Sequence, residues 1–393
     1  MVDLPLPYDP PNPDPRLAGS RLTVDLDALR HNYRVLLGQA GGARVAGVVK
    51  ADAYGLGIEK VAPALWAEGC RVFFVALPEE GVALRRVLPE AWIFVLAGLF
   101  EVGSAEAYRE WGLLPVLNST TDIALWEAHG WDGEKPRPCA IHVDTGMNRL
   151  GLTPEEAVSL AADNALTRAL TPSLILSHLA CADDPGHPLN RRQLESFQEV
   201  AGLFPEADSS LSNSAGTFLG REFGFDLVRP GIALYGGRPV AAGSNPMRSV
   251  AKFEARIVQL RRVPAGESVS YGASVSLGRD TLVAVAAVGY ADGYHRSSSG
   301  HGVPLRRALP LGGEGFVHGA RVPVLGRVTM DLTMFDVTDL GDAVAIGDWI
   351  ELFGPNISVD EAATAAGTIA YEMLTSLGRR SDRHYPGSEP TDG

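Results

Sequence analysis

The stretch VVKADAYGLG, Val48 to Gly57, sets a lysine directly behind an apolar run. Gly47, Val48 and Val49 read as the end of a buried strand, so the Lys50 amine stands at its mouth, beside a loop with a tyrosine and two glycines that reads as flexible. A partly desolvated amine gives up its proton more readily, because burial disfavours the charge. As the free base it attacks carbonyls and forms a Schiff base. A lone lysine of this kind is more often one that snorkels from a strand end. Its company argues otherwise. Asp144 and Arg149, then His178, then Asn213 with Ser214, then Arg229 each follow or close a further apolar run. Asn213–Gly216 (NSAG), followed by Arg229–Gly236 (RPGIALYG), reads as a phosphate site. Small residues let backbone N–H groups approach an anion, and serine adds a hydroxyl. An ordinary helix cap at NSAG and plain turns at Gly231 and Gly236 are the bland alternatives.

Elements must bring these groups together. Between residues 27 and 230 the apolar runs are Val45–Val49, Val72–Ala76, Trp92–Leu96, Leu114–Leu117, Ala140–Val143, Leu174–Ser177, Ser210–Ser212 and Leu227–Arg229. Stretches of helical spacing such as IEKVAPALWAEG lie between them. Eight alternations of strand and helix predict an α/β fold, a (β/α)8 barrel, whose reactive groups gather at the C-terminal ends of the strands. After about residue 245, ARIVQLRRV, TLVAVAAVGY, ARVPVLGRV and DWIELFG are β-rich and separated by Gly, Pro and Asp turns. The expected organisation is a disordered or loosely draped arm over 1–18, a strand over 19–26 that joins the C-terminal sheet, a barrel over 27–244 and a mostly β domain over 245–393.

Composition narrows the function. A formal net charge of −13 opposes nucleic-acid binding, and the basic pairs Arg85/Arg86 and Arg306/Arg307 read as solvated charges. No apolar run approaches the roughly 20 residues of a membrane helix. The N-terminus lacks the basic start and apolar middle of a signal peptide, so a cytoplasmic location is expected. Three widely spaced cysteines, Cys70, Cys139 and Cys181, fit a reducing compartment. No CxxC, HExxH or EF-hand pattern signals a metal.

VVKADAYGLG, HVDTGMNRLG, SHLACADDPGHP, NSAGT, DLVRPGIALYG, SYG, GYADGYHR, GRVTMD and IAYEMLTSLGRR occur in this order. Together they resemble the alanine racemases, pyridoxal-phosphate enzymes of fold type III with an N-terminal barrel and a C-terminal β domain. The resemblance spans residues 20 to about 385. It implies an isomerase that interconverts L- and D-alanine, a small amino-acid substrate, and a homodimer with shared active sites. Lys50 resembles the lysine that holds the cofactor through an imine. Tyr54, Ser214, Gly231, Ile232 and Tyr371 resemble phosphate contacts, with Asn213 beside them. Arg229 resembles the partner of the pyridine nitrogen. His178 resembles a histidine near the cofactor plane, between that arginine and the catalytic tyrosine. Tyr290 resembles the second catalytic base, delivered from the other subunit. Arg149 resembles an arginine near the cofactor's phenolic oxygen, and Met330 a contact to the substrate carboxylate through its N–H.

These residue types suit racemisation, which removes the α-hydrogen from one face and returns a proton to the other. Two proton carriers on opposite faces, Lys50 and Tyr290, do this without moving the substrate. A free phenol titrates near about 10, so a tyrosine base needs nearby cations, and Arg149, Arg229 and His178 are the candidates. Guanidinium has donors and no acceptor. Arg229 facing the ring nitrogen therefore disfavours protonation there, limits electron withdrawal and suppresses transamination and decarboxylation.

The chain departs from the family at Asp52, often Asn, and at Leu56, often His. It also carries His142 where many members have a lysine that becomes carbamylated and holds the following arginine. Histidine cannot reproduce that anion. Asp144, a bound anion or neutral His142 as acceptor remain as holders of Arg149, and activity independent of carbon dioxide is expected. Amino-acid decarboxylases of the same fold type usually carry a glycine-rich phosphate loop and a C-terminal cysteine motif; neither occurs here. The alternatives that stay open are a racemase of broader range, accepting serine or larger amino acids, and a non-catalytic cofactor-binding protein.

Overall fold

The computed structural model describes residues 14–129, 138–241 and 243–387. They fall into two compact units, one of the described residues within 27–248 and one of residues 14–26 with 249–387. Most of the expected arm lies outside the described residues. Of its remainder, Leu17 N–H donates to Asp14 O at 2.8 Å and Ala18 is buried, so residues 14–18 form an ordered turn.

In the first unit seven parallel strands follow in chain order: Gly47–Val48, Val72–Val75, Trp92–Val95, Leu114–Leu117, Cys139–His142, Pro172–Leu176 and Asp208–Ser210. Val72–Val75, Leu114–Leu117 and Cys139–His142 are buried throughout. That is why they read as continuous apolar runs without alternation. Two features depart from the expected eight equal strands. The first run is split, because Arg44–Val45 pairs with Leu227–Val228 while Gly47–Val48 pairs with Phe73–Phe74. Leu227–Val228 thus belongs to a separate two-stranded parallel sheet. Single backbone bonds reach it from the seventh strand's side: Asp226 N–H to Ser209 O at 3.1 Å and Arg229 N–H to Ser212 O at 2.8 Å. The seventh strand is centred two residues before the predicted Ser210–Ser212, and its polar DSS sequence explains the weak apolar signal.

The connecting helices start where the sequence caps them. Thr153 accepts from Glu156 N–H, Glu156 reaches back to Thr153 N–H, and Pro154 opens Pro154–Ala162. Pro188–Ala201 starts the same way, with His187 accepting from Leu189 N–H and Pro188 in the first turn. Its buried Gln193, Leu194, Phe197 and Val200 keep helical spacing toward the sheet.

The second unit is built on the 13-residue strand Ala251–Val263. Its first part pairs antiparallel with Trp349–Phe353 and its second with Thr281–Ala286, with a bulge between Ile257 and Gln259. The order Thr281–Ala286, Thr333–Asp336, Ala320–Leu325, Glu314–Val317, Trp349–Phe353, Ala251–Val263 therefore returns to its start, which closes an antiparallel barrel without open edges there. Ser20–Val24 pairs antiparallel with Ala251–Ala255, and Asp382–His384 pairs parallel with Ser20–Val24. No helix among the described residues is long and apolar enough to cross a membrane.

Candidate active site

Lys50 leaves the strand Gly47–Val48 and opens a turn in which Ala51, Asp52, Ala53 and Tyr54 have φ of 52°, 53°, 53° and 58°. Their ψ values are 49°, 51°, 51° and 37°, so this is a left-handed helical turn of non-glycine residues. Such backbone costs roughly 1–2 kcal/mol per residue and persists only where its surroundings over-determine it. The expected flexible loop is thus a braced one. Glu80 Oε1 accepts Ala51 N–H at 2.7 Å, while Oε2 accepts Ala76 N–H at 2.7 Å and Leu77 N–H at 3.2 Å. Asp52 Oδ1 accepts Ile58 N–H at 2.7 Å and so caps the helix Ile58–Ala67, where its charge also suits the helix dipole. The departure at Asp52 therefore has a local structural role. Leu56 is fully buried.

The Lys50 amine is held below its ordinary range, first by burial and then by the Arg149 charge, with Glu80 opposing. His178 is pushed down to about 3 by burial, then by Arg229, Arg149 and Lys50. Its carbonyl accepts from Gln193 Nε2 at 2.9 Å, and Gln193 Oε1 accepts Ala180 N–H at 2.9 Å. Arg229, 5% exposed, closes the eighth run and donates to Ser210 Oγ and to the Ser177 carbonyl. No carboxylate among the described residues pairs with it, and burial brings it down to about 9. A buried cation served only by neutral acceptors keeps its field for whatever lies beside it.

His142 Nδ1 lies 2.7 Å from Asn118 Oδ1. Asn118 Nδ2 donates to Leu96 O and Val116 O, each at 3.0 Å, which fixes the amide with its oxygen toward the ring. Burial, Arg229 and Arg149 push His142 down to about 4, so the ring is neutral. Asp144 is committed elsewhere. Its carboxylate accepts Gly146 N–H and Met147 N–H at 2.8 Å and Arg149 N–H at 3.1 Å, which bonds the backbone of Arg149 and leaves its guanidinium.

The NSAG and RPGI segments form one cradle. Ser214 Oγ accepts Gly231 N–H at 2.8 Å and Ala233 N–H at 3.3 Å, so its own proton is left to donate outward. Ala215 and Ile232 are buried, and neither backbone N–H has an acceptor among the described residues. Buried amides without partners are rare in folded chains. Here they lie with a serine hydroxyl at strand ends, the chemistry that takes a phosphate monoester. A Cβ on Gly231 would overlap Tyr54 Oη, and the Tyr54 ring packs 4.6 Å from that of Tyr235. Only glycine permits this approach. Asn213 serves as a brace: Oδ1 accepts Gly216 N–H at 2.9 Å and Nδ2 donates to Leu179 O at 3.3 Å. The residues present therefore fit the phosphate and the aldehyde of pyridoxal phosphate.

Tyr290, Met330 and Tyr371 belong to the other unit. Tyr290 opens the turn Tyr290–Asp292, where its N–H donates to Thr329 O and Ala291 N–H donates to Met330 O, both at 3.0 Å. Arg380 ties the two segments together through Asp292 at 3.1 Å and Asp331 at 2.8 Å. Tyr290 is 44% exposed, Met330 53% and Tyr371 42%. Within this unit the structure brings Tyr290 and Met330 side by side.

Sequence reasoning missed Glu80, Asn118 and Gln193. Asn118 immediately follows the strand Leu114–Leu117, so the strand-end criterion applied to the other runs finds it. Glu80 lies in the first turn of one helix and Gln193 in the second turn of another, where acidic and amide residues carry no distinguishing signal.

A model of the alanine racemase N-terminal domain matches residues 24–239, and one of the alanine racemase C-terminal domain matches residues 250–385. The alanine racemase of Rhizobium meliloti (strain 1021) is 56% identical over 371 residues, covering 94% of this chain and 97% of that one. The biosynthetic alanine racemase of Agrobacterium fabrum is 55% identical over 366 residues, covering 93% of each. The crystal structure of alanine racemase from Bartonella henselae with covalently bound pyridoxal phosphate superposes with a TM-score of 0.86 at 39% identity, covering 94% of this chain and 99% of that one.

Proposed function

The chain belongs to the alanine racemase family, and from that premise we propose that it interconverts L- and D-alanine with pyridoxal 5′-phosphate carried on Lys50. The observation that carries the reading is the desolvated Lys50 amine, in one unit with the Ser214 hydroxyl and with the Ala215 and Ile232 amides, which have no acceptor among the described residues. Bound there, pyridoxal phosphate supplies an aldehyde for amine capture and a conjugated ring that draws electrons from the Cα–H bond.

The chain's own residues divide the remaining work. Ser214, Ile232, Gly231 and Tyr54 would hold the phosphate, with Asn213 bracing the turn, and Tyr371 is the further phosphate contact that the family resemblance implies. Arg229 would serve the ring nitrogen as a donor, and a guanidinium there, having no acceptor, would disfavour protonation of that nitrogen. His178 stays neutral under the charge of Arg229 and would lie near the ring. Arg149 would receive the substrate carboxylate in a charge-assisted contact, and the Met330 N–H, which lies beside Tyr290, would reach it together with that tyrosine from the second copy. Lys50 moves the proton at Cα on one face, helped by a field that favours its free base. Tyr290 of the partner subunit moves it on the opposite face, and cations at the barrel mouth favour its phenolate.

The seven-stranded sheet and the Arg44–Val45/Leu227–Val228 pair together form the eight-stranded barrel, supported by the backbone bonds of Asp226 and Arg229. A homodimer follows from the need for Tyr290 from a second copy. The exposed Tyr290, Met330, Leu332 and Ile369 supply apolar surface that suits such a contact.

L-alanine in heavy water tests the reading. D-alanine bearing α-deuterium supports it, and a protein that binds the cofactor without exchange contradicts it. Serine and larger amino acids in the same assay set the range. Mixed Lys50→Ala and Tyr290→Ala chains regain activity if sites are shared, and stay inactive after subunit exchange if they are not.

A further inference from the structure

We propose that Glu80 is the positioning residue of this site: its carboxylate bolts the left-handed turn behind Lys50 to the neighbouring strand end and so fixes where the amine stands. The inference deepens the proposed function and rests on Lys50 as the reacting amine.

Glu80 lies in the first turn of the helix Pro78–Val87, where an acidic residue ordinarily caps its own helix. One oxygen does that. Oε2 accepts the N–H groups of Ala76 and Leu77, the residues that follow the strand Val72–Val75. The other oxygen reaches 29 residues back in sequence and accepts Ala51 N–H at 2.7 Å. Helix capping does not need this second arm. Ala51 is the first residue of the left-handed turn and the immediate neighbour of Lys50.

A turn of four non-glycine residues at positive φ relaxes when its supports are removed. Ala53 N–H is anchored inside its own segment on Val49 O, and the Asp52 carboxylate is anchored on Ile58 N–H. At the Lys50 end the Ala51 N–H has Glu80 as its acceptor. Without it, the backbone that carries the amine is free to rotate toward right-handed values, and the amine swings with it. Displacements of about 1 Å at a reacting group cost on the order of a hundredfold in rate.

Glu80 has a second effect through its charge. The groups whose charge bears on the Lys50 amine are Arg149, which favours the free base, and Glu80, which favours the ammonium. Lys50 in turn presses on His178. A proton carrier has to return to both states, and among the described residues Glu80 is the carboxylate whose charge favours the protonated amine.

The test uses the full chain freed of cofactor and the loaded enzyme. The chain has four lysines, Lys50, Lys60, Lys135 and Lys252, so reductive methylation with 13C-formaldehyde gives few lysine resonances, and Lys50→Ala assigns the one at issue. Glu80→Gln removes the charge and turns an amide N–H toward a backbone donor. It is expected to lower the Lys50 midpoint by roughly one pH unit and kcat for alanine by about tenfold or more with KM nearly unchanged. Glu80→Asp keeps the charge but is one methylene too short to serve both arms. It is expected to keep the midpoint and lose kcat. A Glu80→Gln protein with unaltered midpoint and kcat overturns the proposal. Should that variant fail to fold, wild-type kcat in Glu80→Asp overturns it equally. The methyl titration reads Glu80 even if the wild type does not racemise alanine, so failure of the racemase reading is seen separately.

Discussion

Asn118 sets the tautomer of His142. Because both hydrogens of the Asn118 amide are taken by Leu96 O and Val116 O, its oxygen faces His142 Nδ1 at 2.7 Å and makes that nitrogen the donor. Nε2 is then an acceptor on a neutral ring whose protonation both Arg149 and Arg229 oppose. Of the three candidate holders of Arg149, Asp144 bonds its backbone and His142 offers a side-chain acceptor that needs no ionised group.

Activity should therefore be indifferent to bicarbonate. Adding it at fixed pH is expected to leave kcat unchanged, and clear activation contradicts a neutral acceptor at His142. Asn118→Asp places a carboxylate against Nδ1–H and raises His142 from about 4. The variant should lose activity reversibly as pH falls through the new value, with a new acid limb in the pH–rate profile.

Acid should destabilise the fold through the two histidines. His142 and His178 are pushed down to about 4 and about 3, whereas an unfolded histidine titrates near about 6.5. The unfolded chain therefore binds more protons below that value. The stability is fully present above about pH 6.5 and declines as pH falls toward the folded values, by at most about 1.4 kcal/mol per pH unit for each histidine. The partial exposure of His178 lowers its share. Urea midpoints from about pH 7.5 to about pH 5 should fall more steeply in the wild type than in His142→Gln/His178→Gln. Equal slopes contradict the assignment.

Gly231→Ala should cripple cofactor binding. The added methyl overlaps Tyr54 Oη, and the ring is backed by Tyr235, whose hydroxyl is spent on Val48 O at 2.9 Å. Overpacking of this kind costs about 1–3 kcal/mol, so affinity for pyridoxal phosphate should drop about tenfold or more. Absorbance titration measures it, and wild-type affinity counts against the cradle.

The barrel strands were legible because parallel strands buried on both faces write unbroken apolar runs, and the chemistry was legible where a polar residue interrupts such a run. Lys50, His178 and Arg229 all follow that rule. Asn118 follows it too and was overlooked. The split at Ala46 was invisible, since both halves of Val45–Val49 are apolar and only their partners differ. The left-handed turn was invisible for another reason. Ala, Asp, Ala and Tyr have no strong preference for positive φ, and one brace of the turn is Glu80, which lies beyond the next strand. Tyr290, Met330 and Tyr371 sit on a unit without strand-end landmarks. Family resemblance found them, and spacing did not.

The central claim is that one lysine carries the cofactor covalently. Borohydride reduction of the loaded enzyme followed by peptide mass mapping tests it most directly. The account predicts a reduced pyridoxyl-phosphate adduct on the peptide containing Lys50, with Lys60, Lys135 and Lys252 unmodified. An unmodified Lys50, or an adduct on any of the other three, contradicts it.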